Sequence, residues 1–210
     1  MKTVLLAFTA LILTSMAMGQ NGIELPAPVK TGGMPLMEAL SKRATDRLMD
    51  PARSLDEQQL SNLLWAAWGY NRADKRTAPS SRDKQEIELY VAMKDGLYRY
   101  DAAGHRLCLV SEKDLRPLTG TQPFVADAPI NIIYVCRKQL ITGKTPDELI
   151  AATYANTGFI AQNVYLFCAS ESLATVVRAM VDRDKLAAAM ALPDDSMITL
   201  VQTVGYPAAK

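Results

Sequence analysis

The most regular pattern in the chain is the alternation of Ile87, Leu89 and Val91 with Glu88 and Tyr90. A period of two puts alternate side chains on opposite faces and predicts a strand. Asp95-Gly96 then predicts a hairpin turn, and residues 97–100 and 107–110 continue a meander. Residues 129–135 (PINIIYV) are almost wholly apolar, which predicts a central strand. Residues 173–177 form a short β-branched run, and residues 197–204 predict a last strand closed by Gly205-Tyr206-Pro207.

Helical spacing frames these strands. Leu36, Met37, Leu40, Ala44 and Leu48, with Pro35 in the first turn, predict a helix over 34–49. Ser54-Leu55-Asp56-Glu57 reads as a capping box for a helix that carries Leu60, Leu63, Leu64, Ala67 and Trp68 on one face and stops at Gly69. Thr145-Pro146-Asp147-Glu148 supplies a cap, a proline and two acids near the positive end of a helix dipole. The helix that follows, to about Glu171, is apolar almost all round, so it is expected to be buried against the sheet and against a second body, another subunit. A further helix is expected over 182–191. The order predicts an α+β domain with a mostly antiparallel sheet over 34–210, preceded by a flexible Pro/Gly-rich leader over 20–33.

Composition alters this picture at the N-terminus. Lys2, an apolar run from Val4 to Leu13, and Ala17-Met18-Gly19 predict a secretory signal peptide over 1–19, a mature start near Gln20, and a secreted or periplasmic protein. The apolar run is too short to span a bilayer, so no membrane span is expected after cleavage. The 23 basic and 22 acidic residues are balanced, which argues against an electrostatic nucleic-acid binder. Cys108, Cys136 and Cys168 sit far apart in apolar surroundings and are expected as three buried thiols, and no Cys/His pair has metal-ligand spacing. His105, the sole histidine, falls in the turn DAAGHR and reads as a surface residue; no GxSxG elbow is present.

Two stretches could hold a ligand. Arg43 and Arg47, one helical turn apart with Thr45 between them, offer two planar cations and a hydroxyl that suit a phosphate. The same spacing also describes a solvated helix face. Pro79, Ser80, Ser81, Asp83 and Gln85 precede the first long strand and could meet the polar edge of a planar ring or sugar chain. They could equally form an ordinary surface loop.

Together these stretches resemble the nitroreductase-like FMN-dependent flavoproteins, including the branch related to thiazole/oxazole-forming dehydrogenases. That family opens with Arg-x-Ser-x-(Arg/Lys), to which Arg43-x-Thr45-x-Arg47 is similar. Leu63-Leu64-Trp65-Ala66-Ala67 resembles its Leu-Leu-x-Ala-Ala helix, and Pro79-Ser80-x-x-Asp83-x-Gln85 resembles its Pro-Ser-x-x-Asn-x-Gln loop. GLYRYD, Gln162-Asn163 and Gly205-Tyr206-Pro207 complete the likeness. The resemblance implies FMN at the interface of an intertwined homodimer, with chemistry on the flavin and no catalytic dyad of the protein's own. Arg43, Thr45 and Arg47 would hold the phosphate, with Lys210 as a further cation. Pro79, Ser80, Ser81, Asp83 and Gln85 would lie along the ribityl chain and ring, and Thr175, Val176 and Val177 would bring backbone near the ring. It also implies ping-pong transfer between an unidentified electron donor and a small conjugated substrate. Asp83 stands where the family has Asn, and the segment Ser172-Leu173-Ala174-Thr175 lacks the family's Gly. These departures leave open a non-catalytic protein of the same fold that binds a flavin or another planar phosphorylated ligand.

Overall fold

A computed structural model describes residues 22–209; the signal-peptide expectation and Lys210 lie outside it. Seven strands form one sheet in the order β1 (Gly22–Glu24), β6 (Arg106–Ser111), β5 (Gly96–Asp101), β4 (Ile87–Met93), β7 (Ile130–Arg137), β9 (Ser196–Gly205), β8 (Ala174–Arg178). Every pairing is antiparallel. A two-stranded ribbon, β2 (Tyr70–Arg72) with β3 (Lys75–Arg76), stands apart.

The alternation along the strands feeds two cores. Ile87, Leu89 and Val91, with Ile130, Ile132, Tyr134 and Cys136, pack under α2 (Glu57–Trp68) and α4 (Pro146–Ser170). Tyr90, Ala92, Ile133 and Val135 face the opposite way, onto Leu186 and its neighbours in α5 (Arg183–Ala189). β7 is central and buried on both faces, as its almost wholly apolar run predicts. Leu63, Leu64, Ile132 and Ile133 have no exposed surface, which stabilises the fold by about 1.5–3 kcal/mol per side chain.

Several elements differ from the sequence expectation. The first helix, α1, runs only from Leu36 to Lys42. Arg43 turns out of it at φ −54°, ψ 120°, and the Asp46 N–H bonds to the Thr175 carbonyl instead of to a helical one. Leu36, Met37, Leu40 and Leu48, whose spacing predicted the helix, are exposed in the single chain. The second helix is capped by Asp56 with Gln59, not by Ser54 with Glu57. The leader is tied down: β1 pairs with β6, the Val29 N–H bonds to Asn62, and the Ser61 hydroxyl donates to the Pro26 carbonyl. Cys136 and Cys168 are buried as expected, whereas Cys108 is half-buried; all three are free thiols. His105 is a turn residue with φ 49°, but its ring is engaged, Nε2 against Ser61 Oγ at 2.7 Å and Nδ1 against the Tyr100 hydroxyl at 2.9 Å. A short helix, α3 (Phe124–Asp127), was not expected.

Candidate functional site

Two of the residues expected to hold a phosphate, Arg43 and Thr45, meet Tyr165 of α4 beside β8. Because α1 ends at Lys42, Arg43 and Arg47 are not one helical turn apart on a shared helix face, contrary to the expectation from their spacing. The Thr45 hydroxyl meets the Tyr165 hydroxyl of α4 at 3.0 Å, and the Arg43 guanidinium lies 5.4 Å from the Tyr165 ring centroid. The Tyr165 hydroxyl also accepts from the Val177 N–H at 3.0 Å, joining this cluster to β8. The Asp46 carboxylate accepts from the Leu48 N–H at 2.9 Å and forms no ion pair with either arginine. Among the described residues, Arg43 and Arg47 have no carboxylate within 4.0 Å, so both cations remain open to an anion. This chemistry fits a phosphate.

Thr175, Val176 and Val177 lie in β8, an edge strand of the sheet, with restricted availability. The Thr175 hydroxyl donates to the Thr203 carbonyl and accepts from Gln202 Nε2. Its carbonyl is taken by Asp46 and the Val177 N–H by Tyr165. Thr175 and Val176 are buried.

The loop over 79–85 contains a short 3-10 turn, Ser81–Asp83, and three non-glycine residues in the left-handed region: Arg82 at φ 54°, Asp83 at φ 54° and Gln85 at φ 49°. Each such residue costs of order 1 kcal/mol and persists only where surroundings fix it. Here Asn156 of α4 accepts from the Ser81 N–H at 3.1 Å, and Ser80 Oγ accepts from the Gln85 N–H at 2.9 Å. Behind Asn156 lies Glu86, fully buried, whose Oε1 accepts from Asn156 Nδ2 at 2.6 Å while Oε2 has no partner.

The polar ends of Asp83 and Gln85 are engaged by neighbouring side chains and backbone, Asp83 at the surface and Gln85 half-buried. Asp83 pairs with Lys75 at 2.5 Å and accepts from Gln85 Nε2, which holds its carboxyl below the usual range. Gln85 Nε2 also donates to the Asp74 carbonyl, and Oε1 accepts from Arg76 Nε at 2.8 Å. The loop therefore presents Pro79 and the Ser81 hydroxyl without side-chain partners among the described residues, and an Asp83 carboxylate that is exposed but already paired with Lys75.

One chain does not bring the two stretches together. Ser81 meets α4 at Asn156 and Thr45 meets it at Tyr165, nine residues further along. At 1.5 Å and 100° per residue those positions are ~13 Å apart and on opposite flanks of the helix. Tyr165, Asn156 and Glu86 escaped sequence reasoning. The available signal was the polar pair Asn156 and Thr157 inside an apolar helix. Gln162 is exposed, and Asn163 ties α4 to the Ala66 carbonyl of α2. Among the described residues, no group of three His, Cys, Asp or Glu could hold a metal, and no helix is long and apolar enough to cross a membrane.

A seven-stranded antiparallel sheet with helices on both faces, and a basic cluster against its edge, define an α+β fold of the nitroreductase type. The Nitroreductase family profile matches residues 40–206, and the chain belongs to that family. A nitroreductase-like protein of Ralstonia eutropha JMP134, solved by crystallography, is 42% identical over 90% of both chains with a TM-score of 0.85. A nitroreductase-like protein of Methanocaldococcus jannaschii is 30% identical over 138 residues, a match that spans 57% of this chain and 66% of that relative. A nitroreductase-like protein of Desulfovibrio desulfuricans, crystallised with FMN, is 17% identical over 85% of this chain and 89% of its own, with a TM-score of 0.62.

Proposed function

We propose that the protein is an exported FMN-dependent oxidoreductase that acts as a homodimer. The observation that carries the reading is the open pair Arg43 and Arg47 around Thr45, with the Asp46 carboxylate spent on its own backbone. Arg43, Thr45 and Arg47 would hold the FMN phosphate, with Lys210 as an added cation. Pro79, Ser80, Ser81, Asp83 and Gln85 would lie along the ribityl chain and ring, with Asp83 already paired to Lys75. Thr175, Val176 and Val177 would form the wall near the ring. Bound FMN supplies hydride exchange with a donor and then with a small conjugated acceptor. The protein binds it, orients it and excludes water.

The homodimer reading rests on the opposite flanks of α4. A second copy could supply the loop that a single chain holds too far from Arg43. The outward face of α4 carries Ala155, Gly158 and Phe159, and Phe159 is 48% exposed. The exposed Leu36, Met37 and Leu40 of α1, which packs on α4, extend this apolar surface. Export rests on the first 19 residues, and it makes a donor other than cytoplasmic nicotinamide the expectation.

The engagement of Asp83 by Lys75, and of Gln85 by Arg76 and the Asp74 carbonyl, favours a second reading, a non-catalytic member that binds a flavin or another planar phosphorylated ligand. A visible spectrum of the purified protein, followed by reduction with dithionite and reoxidation by an acceptor, separates the two. For either, replacing Arg43 and Arg47 together with Ala removes charge-assisted contacts of about 1.5–3 kcal/mol each. FMN affinity should fall at least a hundredfold while the circular dichroism is unchanged. Unchanged affinity in that double variant would refute the phosphate assignment.

A further inference from the structure

Beside the loop over 79–85, the end of the sheet opens into a cleft of ≈ 290 Å³. Trp68, Tyr70 and Tyr100 wall it, and Ile87 and Leu89 form its apolar floor. Arg76 enters from β3. Its Nε donates to Gln85 Oε1 at 2.8 Å, its Nη1 donates to the Trp68 carbonyl at 3.0 Å, and its guanidinium lies 4.0 Å from the Tyr70 ring centroid. A guanidinium has five N–H groups, so three are left without a protein acceptor among the described residues.

The acids of the cleft are committed elsewhere. Asp101 pairs with Arg106 at 3.1 Å, and Glu88 with Arg137 at 3.3 Å and Arg99 at 3.7 Å. Asp101 and Asp83 reach Arg76 only by longer-range attraction, and burial is what lowers its pKa. The lining thus holds three arginines against two carboxylates, with the excess charge on the one arginine that has no counter-ion. A half-buried cation has forfeited part of its hydration without gaining a counter-ion, and an incoming anion restores the balance.

We propose that this cleft binds a small planar monocarboxylate, its carboxylate on Arg76 and its flat body against Tyr70 and Tyr100. A single excess charge suits a monoanion better than a dianion. The planar fork of a guanidinium matches a carboxylate, and the aromatic walls match a flat apolar body. The volume is close to the lower end of small-molecule pockets, ~300 Å³. The site does not depend on flavin, although the Arg76–Gln85 bond joins it to the loop.

The test is calorimetric titration of the purified protein with benzoate and with neutral, near-isosteric benzamide. Benzoate should bind saturably, and benzamide about tenfold or more weakly, the scale of one lost charge-assisted contact. Arg76→Gln should weaken benzoate by the same factor. Because that change also loosens Gln85 and Trp68, Ala103→Phe provides a second route: it fills the cleft mouth from an exposed turn and leaves Arg76 in place. Should Arg76→Gln fail to fold, Ala103→Phe decides alone, with the same loss expected. Equal binding of benzamide, no saturable benzoate binding, or undiminished benzoate affinity in the folded variants would overturn the proposal.

Discussion

Asn156 offers a sharp test of how the loop over 79–85 is held. It is 2% exposed, donates to Glu86 Oε1 at 2.6 Å and accepts from the Ser81 N–H at 3.1 Å. Glu86 has no other side-chain partner, since its Oε2 is buried and unbonded. Replacing Asn156 with Ala removes a hydrogen bond to a buried carboxyl group, worth about 1.5–3 kcal/mol, and strands that group without compensation. Ser81 is half-buried, so water can replace the lost acceptor, and that bond adds only ~0.5–1 kcal/mol. The expected loss is roughly 3–4 kcal/mol, a large part of a typical domain's stability. Urea unfolding at pH 7, with the m-value checked, measures it. Because most of the cost is a stranded carboxyl, replacing Glu86 and Asn156 together by Leu should be less damaging than Asn156→Ala alone. A loss below ~1 kcal/mol for Asn156→Ala, or a double variant as unstable as the sum of its singles, would refute the reasoning.

Two further outcomes are expected. A methyl group at Gly120 would stand 2.1 Å from Arg178 Nη1, on a buried arginine whose pKa burial already pushes down to about 10 and which bonds Thr119, Asn131 and Thr203. Gly120→Ala should therefore cost ~2–3 kcal/mol and lower Tm by about 4–10 °C in a thermal melt. Burial, and more weakly Lys30, lowers the pKa of His105 while the Pro26 carbonyl opposes the shift. The neutral ring is thus favoured in the fold, and its contribution is present above the ordinary value of 6.5 and lost as pH falls below it. Urea midpoints should drop between pH 7.5 and 5.5, and the drop should shrink in His105→Gln.

The strands were legible because each carries a two-residue period that the sheet uses directly, as in Ile87, Leu89 and Val91 facing one core and Tyr90 and Ala92 the other. The helix over 34–49 misled because its apolar period records an exposed surface, with Met37 76% and Leu48 73% exposed, rather than a packed stripe. Past Lys42, Asp46 accepts from the Leu48 amide, the local competition that ends helices, while Thr45 is held by the distant Tyr165 hydroxyl. Two overlapping capping boxes began at Ser54 and at Asp56; Asp56 prevails because it leaves Leu55 before the cap and Leu60 four residues in, both packed into the same core. The candidate site was only half legible. Arg43, Thr45 and the loop residues lie in local motifs, but Tyr165 and Asn156 join them across 120 and 75 residues. No periodicity in one chain encodes such a pairing.

Asp83 illustrates how a departure in sequence is absorbed by structure. A carboxylate where the family has an amide would set negative charge near an electron-accepting ring, yet here Lys75 neutralises it and Gln85 shares it. That pair is at the surface, with 40% and 44% of the side chains exposed, so it contributes little to stability by itself. The loop's shape must then rest on its less exposed anchors, Arg76 on Gln85 and Asn156 on Ser81. Three left-handed residues between those anchors would relax if either failed, whereas loss of Lys75 leaves both in place. The loop is held by Arg76 through Gln85 and by Asn156 through the Ser81 N–H, so its shape does not depend on whether position 83 carries a carboxylate or an amide.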